Sequence, residues 1–272
     1  MDFTLTKYGE LIDAIKAAGY QFMTFEQYLD SAKLPEDKKI VILRHDVDKR
    51  AQNSKATAEL ETEKGAVASY YFRVVKQSFQ PSVIHTIATM GHEIGYHYED
   101  MSLCHGDVDS AMRHFIKWLD YFRNMYPVRT ICMHGAPQSR YDSRDLWRSR
   151  PDGQKAYNYH DYGIIGEPYF DIDFGTFLYL TDTGRCWDGY KVSVRDKIPE
   201  HQDEWIRRGW SFHTTDDVIR ALRGESHGEP LPDKIMFTTH PQRWSNNMPE
   251  WITEYLLQSV KNVVKRILIA AR

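Results

Sequence analysis

The sequence of 272 residues predicts an α/β fold built on a parallel β-sheet. Helical and strand patterns alternate along most of the chain, and about six β-α units follow one another. The strand-like runs are short and continuously apolar, which is typical of strands buried on both faces. This pattern leaves open whether the sheet is open or closed into a barrel. Because no Pro/Gly/Ser-rich linker or internal repeat interrupts it, we expect one domain over residues 1–272.

The predicted elements begin with a helix in which Tyr8, Leu11 and Ile15 recur at helical spacing and which stops at Gly19. The other predicted helices cover 25–32, 49–64, 81–90, 107–124, 200–208, 215–222 and 249 to the end. The predicted strands cover 40–45, 68–75, 92–97, 129–133, 164–170, 177–181 and 235–239. Residues 135–195 break the alternation, and long irregular connections in compact domains are usually functional or mobile.

Composition excludes several classes of protein. With a net charge of −3 and no basic block, the chain is a poor candidate for binding nucleic acid or an anionic membrane. No window approaches 18 uninterrupted apolar residues, so no membrane span is expected. The first residues lack the features of a secretory signal, and the three cysteines lack metal or disulfide spacing. A cytoplasmic location is therefore expected, and the oligomeric state stays open.

Two carboxylates follow the apolar run at 40–43, in the segment Arg44-His45-Asp46-Val47-Asp48. Residues i and i+2 of a strand share a face, so Asp46 and Asp48 are expected to point the same way, with Cα atoms roughly 6–7 Å apart. In parallel α/β folds, chemistry collects at the carboxyl ends of the strands. A solvated turn at the strand end is the plain alternative for a bare D-x-D pair.

Further predicted strand ends carry His97, His134 and His240, and Asp182 opens another predicted turn. Each of these residues taken singly is common in loops. All of them on the same rim of one sheet predict a shared site. Aspartate and histidine together suit a divalent ion, most of all zinc, and a catalytic zinc site keeps one position open for water. Metal-assisted hydrolysis is the reaction class that these residues favour.

The order of these clusters resembles the polysaccharide deacetylases of carbohydrate esterase family 4, which share the NodB homology domain. The resemblance covers residues 40–245, and it is closest to the divergent H-D-V-D subgroup associated with surface-polysaccharide biosynthesis. Arg44-His45-Asp46-Val47-Asp48 stands in the place of the family's T-F-D-D element. Gly91-His92-Glu93-Ile94-Gly95-Tyr96-His97 matches its G-H-E-I-G-N-H stretch. The later motifs would fall at His134-Gly135-Ala136-Pro137, at Asp182 and Trp187, and at Phe237-Thr238-Thr239-His240.

The resemblance implies an irregular (β/α) barrel of about seven parallel strands and a metal-dependent hydrolase that removes an N-acetyl or similar acyl group from an amino sugar. It implies that Asp46 is the general base, His240 the general acid, and Asp182 a residue that orients one of the reacting groups. The expected metal ligands are Asp48, His97 and His134. The expected substrate contacts come from Trp187, Arg185 and Glu99, and the expected substrate is a carbohydrate, namely an amino-sugar glycan or its precursor.

Two departures from the family pattern affect these expectations. The family's second metal histidine falls on Met101, whose thioether cannot replace an imidazole in a zinc site, and Glu99, His105 or His134 could fill that position. His134 is preferred because it follows a strand predicted to lie beside that of His97. The inserted Val47 leaves open which aspartate binds metal and which acts as base.

The sequence also allows two alternative functions. One is a non-catalytic carbohydrate-binding or scaffold protein that keeps the fold after losing a metal ligand at Met101. It predicts glycan binding that is insensitive to chelators. The other is a glycosidase that uses paired carboxylates without metal, and the abundance of histidine on the predicted rim argues against it.

Overall fold

The computed structural model describes residues 1–31, 38–136, 139–148, 153, 156–193 and 195–270. Seven strands form one sheet: β1 (Gln21–Met23), β2 (Ile40–Val47), β3 (Ser69–Phe72), β4 (Glu93–Tyr98), β5 (Ile131–Met133), β6 (Leu178–Thr181) and β7 (Lys234–Thr239). Every pairing is parallel, in the order β5-β4-β3-β2-β7-β6, with β1 also on β2. The sheet is curled into a half-barrel. The predicted irregular (β/α) barrel of about seven parallel strands is thereby confirmed.

Ten α-helices lie among the described residues. They are α1 (Leu5–Ala17), α2 (Phe25–Asp30), α3 (Ala51–Glu63), α4 (Pro81–Thr89), α5 (Asp100–Leu103), α6 (Val108–Arg123), α7 (Pro168–Asp171), α8 (Pro199–Arg207), α9 (Thr215–Leu222) and α10 (Met248–Ala270). The predicted ends of the second and the last helix, at residues 32 and 271–272, lie outside the described residues. No described helix is both long and apolar enough to cross a membrane.

The prediction of a strand at 164–170 is wrong. This segment makes only an isolated parallel bridge, between Thr130 and Gly166, and then turns into α7. Pro168 lacks the N–H that a strand would donate and suits the first turn of a helix. The Glu167 carboxylate accepts from the Tyr169 N–H and so caps that helix, while it also accepts from the Met133 N–H at the end of β5. The sequence pattern also missed β1 and α5, which are only three and four residues long.

Strand β2 is the centre of the sheet. Its eight residues are all buried, and it pairs with β7 on one side and with β1 and then β3 on the other. Side chains alternate between the two faces, so Arg44 and Asp46 lie inside the half-barrel and His45 and Val47 face the helices. The strand therefore carries charge into the interior at its carboxyl end.

The helix-facing side of the sheet contains a buried polar cluster centred on Glu61 of α3. Its carboxylate accepts from the Tyr8 hydroxyl at 2.5 Å and the Tyr70 hydroxyl at 2.6 Å, and lies 2.7 Å from His45 Nε2. The other ring nitrogen of His45 lies 2.6 Å from the Thr239 hydroxyl. Buried carboxylates are destabilising unless their oxygens are satisfied, and here α1, β2 and β3 supply the partners. His45 therefore joins strands and helices and lies on the opposite face of the sheet from Asp46.

Gly95 provides a test of packing inside the half-barrel. A Cβ at this position would lie 2.3 Å from Tyr71 Cε1 and 3.0 Å from the Thr130 carbonyl oxygen. We expect Gly95→Ala to lower the free energy of unfolding by about 1–3 kcal/mol, because a packed ring must move. Urea denaturation measures this change. Gly135→Ala is the matched control, since its Cβ would meet only Arg195 Cβ at 3.8 Å. Equal midpoints for the two variants would contradict the packing argument.

Candidate metal centre and active site

A broad groove opens at the carboxyl ends of the strands. Seven of the nine site residues predicted from the sequence converge there: Asp46, Asp48, His97, Glu99, His134 and His240 line it directly, and Asp182 lies behind His240. Parallel strands end on the same rim, which explains why residues almost 200 positions apart meet. The rim expected from the sequence is the wall of this groove.

Asp48, His97 and His134 bring three ligand atoms within 4.8 Å of one another. Asp48 Oδ1 lies 3.2 Å from His134 Nε2 and 3.8 Å from His97 Nε2. Two ligands of a tetrahedral zinc ion, at bonds of about 2.0–2.2 Å, lie about 3.3 Å apart. The spacing therefore suits a single ion bound by all three residues.

Both imidazoles are oriented by their second nitrogen. His97 Nδ1 lies 2.9 Å from the Cys132 carbonyl oxygen, which can only accept, so Nδ1 carries the proton and Nε2 keeps a free lone pair. His134 Nδ1 lies 2.9 Å from Glu99 Oε2. Arg73 in turn holds Glu99 through its Nε and Nη2 at 2.7–2.9 Å. A carbonyl or carboxylate behind each histidine is the usual support of a metal site.

The charges around Asp48 suit a bound cation. Its Oδ1 is buried, and no described group forms a hydrogen bond with it at acceptable geometry, although His134 lies nearby. Burial raises the pKa of Asp48, but the charges of His134 and His240 outweigh this and hold it well below its usual range. Burial lowers the pKa of His97 to about 4. An ionised carboxylate beside a neutral imidazole is the donor set that a divalent ion requires.

His134 behaves differently from His97. Burial lowers its pKa, but Asp48 and Glu99 outweigh that effect and raise it to about 9. The ring is therefore protonated at neutral pH in the metal-free protein, and it compensates part of the charge on the two carboxylates. A metal ion would have to displace this proton from Nε2, so metal binding at neutral pH is coupled to proton release.

Asp46 lies beside this cluster but has a different partner. Arg44 Nε donates to its Oδ1 at 2.9 Å and Nη2 donates to its Oδ2 at 2.6 Å. Burial raises the pKa of Asp46, but Arg44 and His97 outweigh this and lower it, so the carboxylate is ionised at neutral pH. Asp46, His97 and Cys132 form a second possible ligand set. The two-point contact with Arg44 and the raised pKa of the buried Cys132 thiol make it the weaker one.

Asp182 and His240 form a buried pair across the groove from His97. His240 Nδ1 lies 2.7 Å from Asp182 Oδ1, and the His240 backbone N–H donates to Oδ2 at 2.9 Å. Arg243 and Trp244 Nε1 also donate to this carboxylate. Burial and Arg243 lower the pKa of His240, but Asp182 and then Asp48 outweigh them and raise it. His240 Nε2 faces the cluster, 3.9 Å from Asp48 Oδ2.

Trp187 and Arg185 are not among the described residues that line this groove, although Arg185 Nη1 donates to the carbonyl oxygen of the lining residue Arg243 at 3.1 Å. Trp187 is buried, donates from Nε1 to the Thr215 hydroxyl at 3.0 Å and packs edge-on against Phe237. Arg185 lies over the rings of Trp251 and Phe3. Both side chains hold the β6 loop against neighbouring elements. Their substrate contacts stay predictions.

The structure also separates the residues that were considered for the position of the family's second metal histidine. Met101 is buried in the hydrophobic core, and His105 lines the groove outside the three-residue cluster. Glu99 acts on His134 rather than meeting Asp48 directly. Pro137, the last residue of the matched groove motif, lies outside the described residues.

Sequence reasoning missed several groove residues. Gln242 Nε2 donates to Asp48 Oδ2 at 3.2 Å, and Asp196 accepts from the hydroxyls of Thr181 and Tyr169 at 2.7 and 3.1 Å. Gln242 lies two residues after His240, so its position at a strand end was a usable signal. Arg73 directly follows β3 and lies within the strand predicted at 68–75, so its position was also a usable signal. Asp196 lies in a segment with no strand-end pattern, and only the fold brings it to the groove.

Comparisons with known proteins add no assignment. A scan against protein-family models and a search of curated proteins both returned no match for this chain.

Proposed function

We propose that this protein is a metal-dependent hydrolase that removes an acetyl or similar acyl group from the nitrogen of an amino sugar. The observation that carries the proposal is the Asp48–His97–His134 cluster, in which three supported ligand atoms converge beside a separate carboxylate and a separate histidine. The likeness of the sequence motifs to polysaccharide deacetylases supplies the substrate class.

Asp48, His97 and His134 would hold the metal, most suitably zinc, because one oxygen and two nitrogens leave a fourth tetrahedral position open. An ion at such a site supplies Lewis acidity, which polarises a carbonyl oxygen and lowers the pKa of a coordinated water to roughly 7. The ligand assignment favours Asp48 over Asp46, because both oxygens of Asp46 face Arg44 while Asp48 Oδ1 faces the imidazoles.

Asp46 is suited to take the proton of the attacking water. It is ionised, it lies on the groove wall, and its Oδ2 is 3.7 Å from the ligand atom of His97. The Arg44 guanidinium fixes the plane of the carboxylate and keeps it charged. As the water oxygen forms its bond to the acyl carbon, its proton passes to Asp46.

His240 is suited to protonate the leaving nitrogen. Asp182 accepts from Nδ1 and fixes the ring, so Nε2 presents its proton to the groove. The C–N bond breaks as this proton is transferred, and a carboxylic acid and a free amine result. Asp182 acts through His240 and is a positioning residue in this scheme.

The direct test is Asp48→Ala, which removes the only carboxylate of the proposed ligand set. We expect loss of bound divalent metal, measured by elemental analysis, and loss of acetate release from N-acetylated amino sugars. Asp203→Ala, at an exposed carboxylate of α8, is the control and should retain both. A wild type that binds no zinc and releases no acetate after metal addition overturns the proposal. Glycan binding that persists unchanged with EDTA would favour the non-catalytic carbohydrate-binding alternative.

Glu99→Gln tests the support of His134. Loss of the carboxylate behind Nδ1 should weaken zinc binding by about 10- to 100-fold while the ligands remain in place. Competition against a fluorescent chelator measures the affinity. Glu254→Gln is the control, because Glu254 also lines the groove but pairs with Lys49 at 2.8 Å. Equal zinc affinity in wild type and Glu99→Gln would show that Glu99 has no such role.

Asp182→Asn tests the acid role of His240. A general acid works only when protonated, so activity should fall as pH rises through the pKa of His240. Asp182 raises that pKa, and its removal should lower kcat and move this fall to lower pH. The measurement is the pH profile of kcat, with circular dichroism and zinc content as folding controls. A folded, zinc-loaded variant with an unshifted profile would assign the proton transfer to another group.

A further inference from the structure

Helix α10 carries an unusual share of the exposed hydrophobic surface. Of the twelve large hydrophobic side chains that are exposed among the described residues, seven lie on this one helix. They are Met248, Ile252, Tyr255, Leu256, Leu257, Val260 and Val263, each 45–65% exposed. A surface helix normally turns such residues inward.

The body-facing side of α10 is polar. Glu254 is buried and pairs with Lys49 at 2.8 Å, and Trp251 Nε1 donates to the Asp2 carbonyl oxygen at 2.8 Å. Asn262 Nδ2 donates to the Gly184 carbonyl oxygen at 2.8 Å. The helix is thus held to the domain by hydrogen bonds and an ion pair, while its apolar residues point the other way. This inverted arrangement indicates that a second surface covers the apolar side.

The spacing of the apolar residues matches a helical partner. Ile252, Leu256, Val260 and Val263 are separated by four, four and three positions, which places them on one stripe of the helix. We propose that a second copy of this chain packs its α10 antiparallel against this stripe, around a two-fold axis. The same patch then meets itself, as in most homodimers.

Charge and area support a second copy. In the sequence of α10 the acidic Glu250 and Glu254 come before the middle and the basic Lys261, Lys265 and Arg266 come after it, so an antiparallel pair sets opposite charges and opposite helix dipoles together. A large side chain has on the order of 200 Å² of surface, so seven half-exposed ones leave about 700 Å² per copy. Two copies would bury about 1,400 Å², within the range of roughly 1,200–2,000 Å² for stable interfaces.

An anionic membrane is the less suitable occupant. Interfacial helices carry a polar face rich in Lys and Arg, whereas the sequence of α10 sets only three cations, Lys261, Lys265 and Arg266, against Glu250 and Glu254, in a chain whose net charge is −3.

The proposed interface borders the groove. Val260 and Lys261 line the groove from α10, so a second helix on the stripe would lie at its open mouth. On the proposed function, dimerisation would then narrow the entrance through which a carbohydrate reaches the groove.

The test is the mass of the protein in solution, determined by light scattering after size-exclusion chromatography at about 10–100 μM. We expect a dimer for the wild type and a monomer for the double variant Leu256→Glu/Val260→Glu. Ile206→Glu, at an exposed apolar position on α8, should remain dimeric. A monomeric wild type, or a dimeric double variant, overturns the proposal. So does cosedimentation of a monomeric wild type with phosphatidylserine vesicles, which would assign the stripe to a membrane.

The antiparallel orientation is tested by cysteine pairing. A pair centred on the middle of the stripe that runs from Ile252 to Val263 sets Ile252 against Val263 of the second copy. Mixed Ile252→Cys and Val263→Cys proteins should cross-link to each other faster than either does to itself. Preferential self-linking of Ile252→Cys would indicate parallel helices and contradict the two-fold arrangement.

Discussion

The pairing of β2 with neighbours on both sides is the constraint on which the site depends. A strand buried on both faces and hydrogen-bonded along both edges has little freedom to shift its register. A slip of one residue would send Asp46 to the helix side and His45 into the groove. The Glu61 cluster opposes such a slip, because it provides His45 with buried partners that Asp46 could not use. The fixed register thus decides which groups reach the groove.

Several carboxylates lie buried close to one another around the groove, and most of them have a cationic partner of their own. Arg44 compensates Asp46, Arg73 compensates Glu99, and Arg243 with His240 compensates Asp182. Asp48 has only imidazoles and Gln242, and its Oδ1 has no hydrogen bond among the described groups. His134 compensates part of this charge, and the Asp48–His97–His134 cluster is a part of the groove that could hold a metal ion.

Local patterns in the sequence predicted the elements whose signals are local. Continuous apolar or amphipathic patterns mark the strand predicted at 40–45, the helix at 215–222 and the strand at 235–239. The observed bounds of these three elements differ from the predicted bounds by at most two residues. The segment 164–170 looked like a strand from composition, but Pro168 and the Glu167 cap turned it into α7. The apolar residues of α10 predicted a helix correctly, whereas their outward direction depends on Lys49 and Gly184, which are far away in sequence.

The sequence by itself determined the parallel α/β class and the rim of strand ends on which Asp46, Asp48, His97, His134 and His240 lie, because strand periodicity and the direction of parallel strands are local properties. Only the tertiary structure decided which of these atoms converge. The register and the loop path place His134 near Asp48 and pair Asp46 with Arg44. They also place Trp187 and Arg185 in packing contacts and not among the residues that line the groove. Contacts across long sequence separations depend on how the whole sheet curls, and no local pattern encodes that curvature.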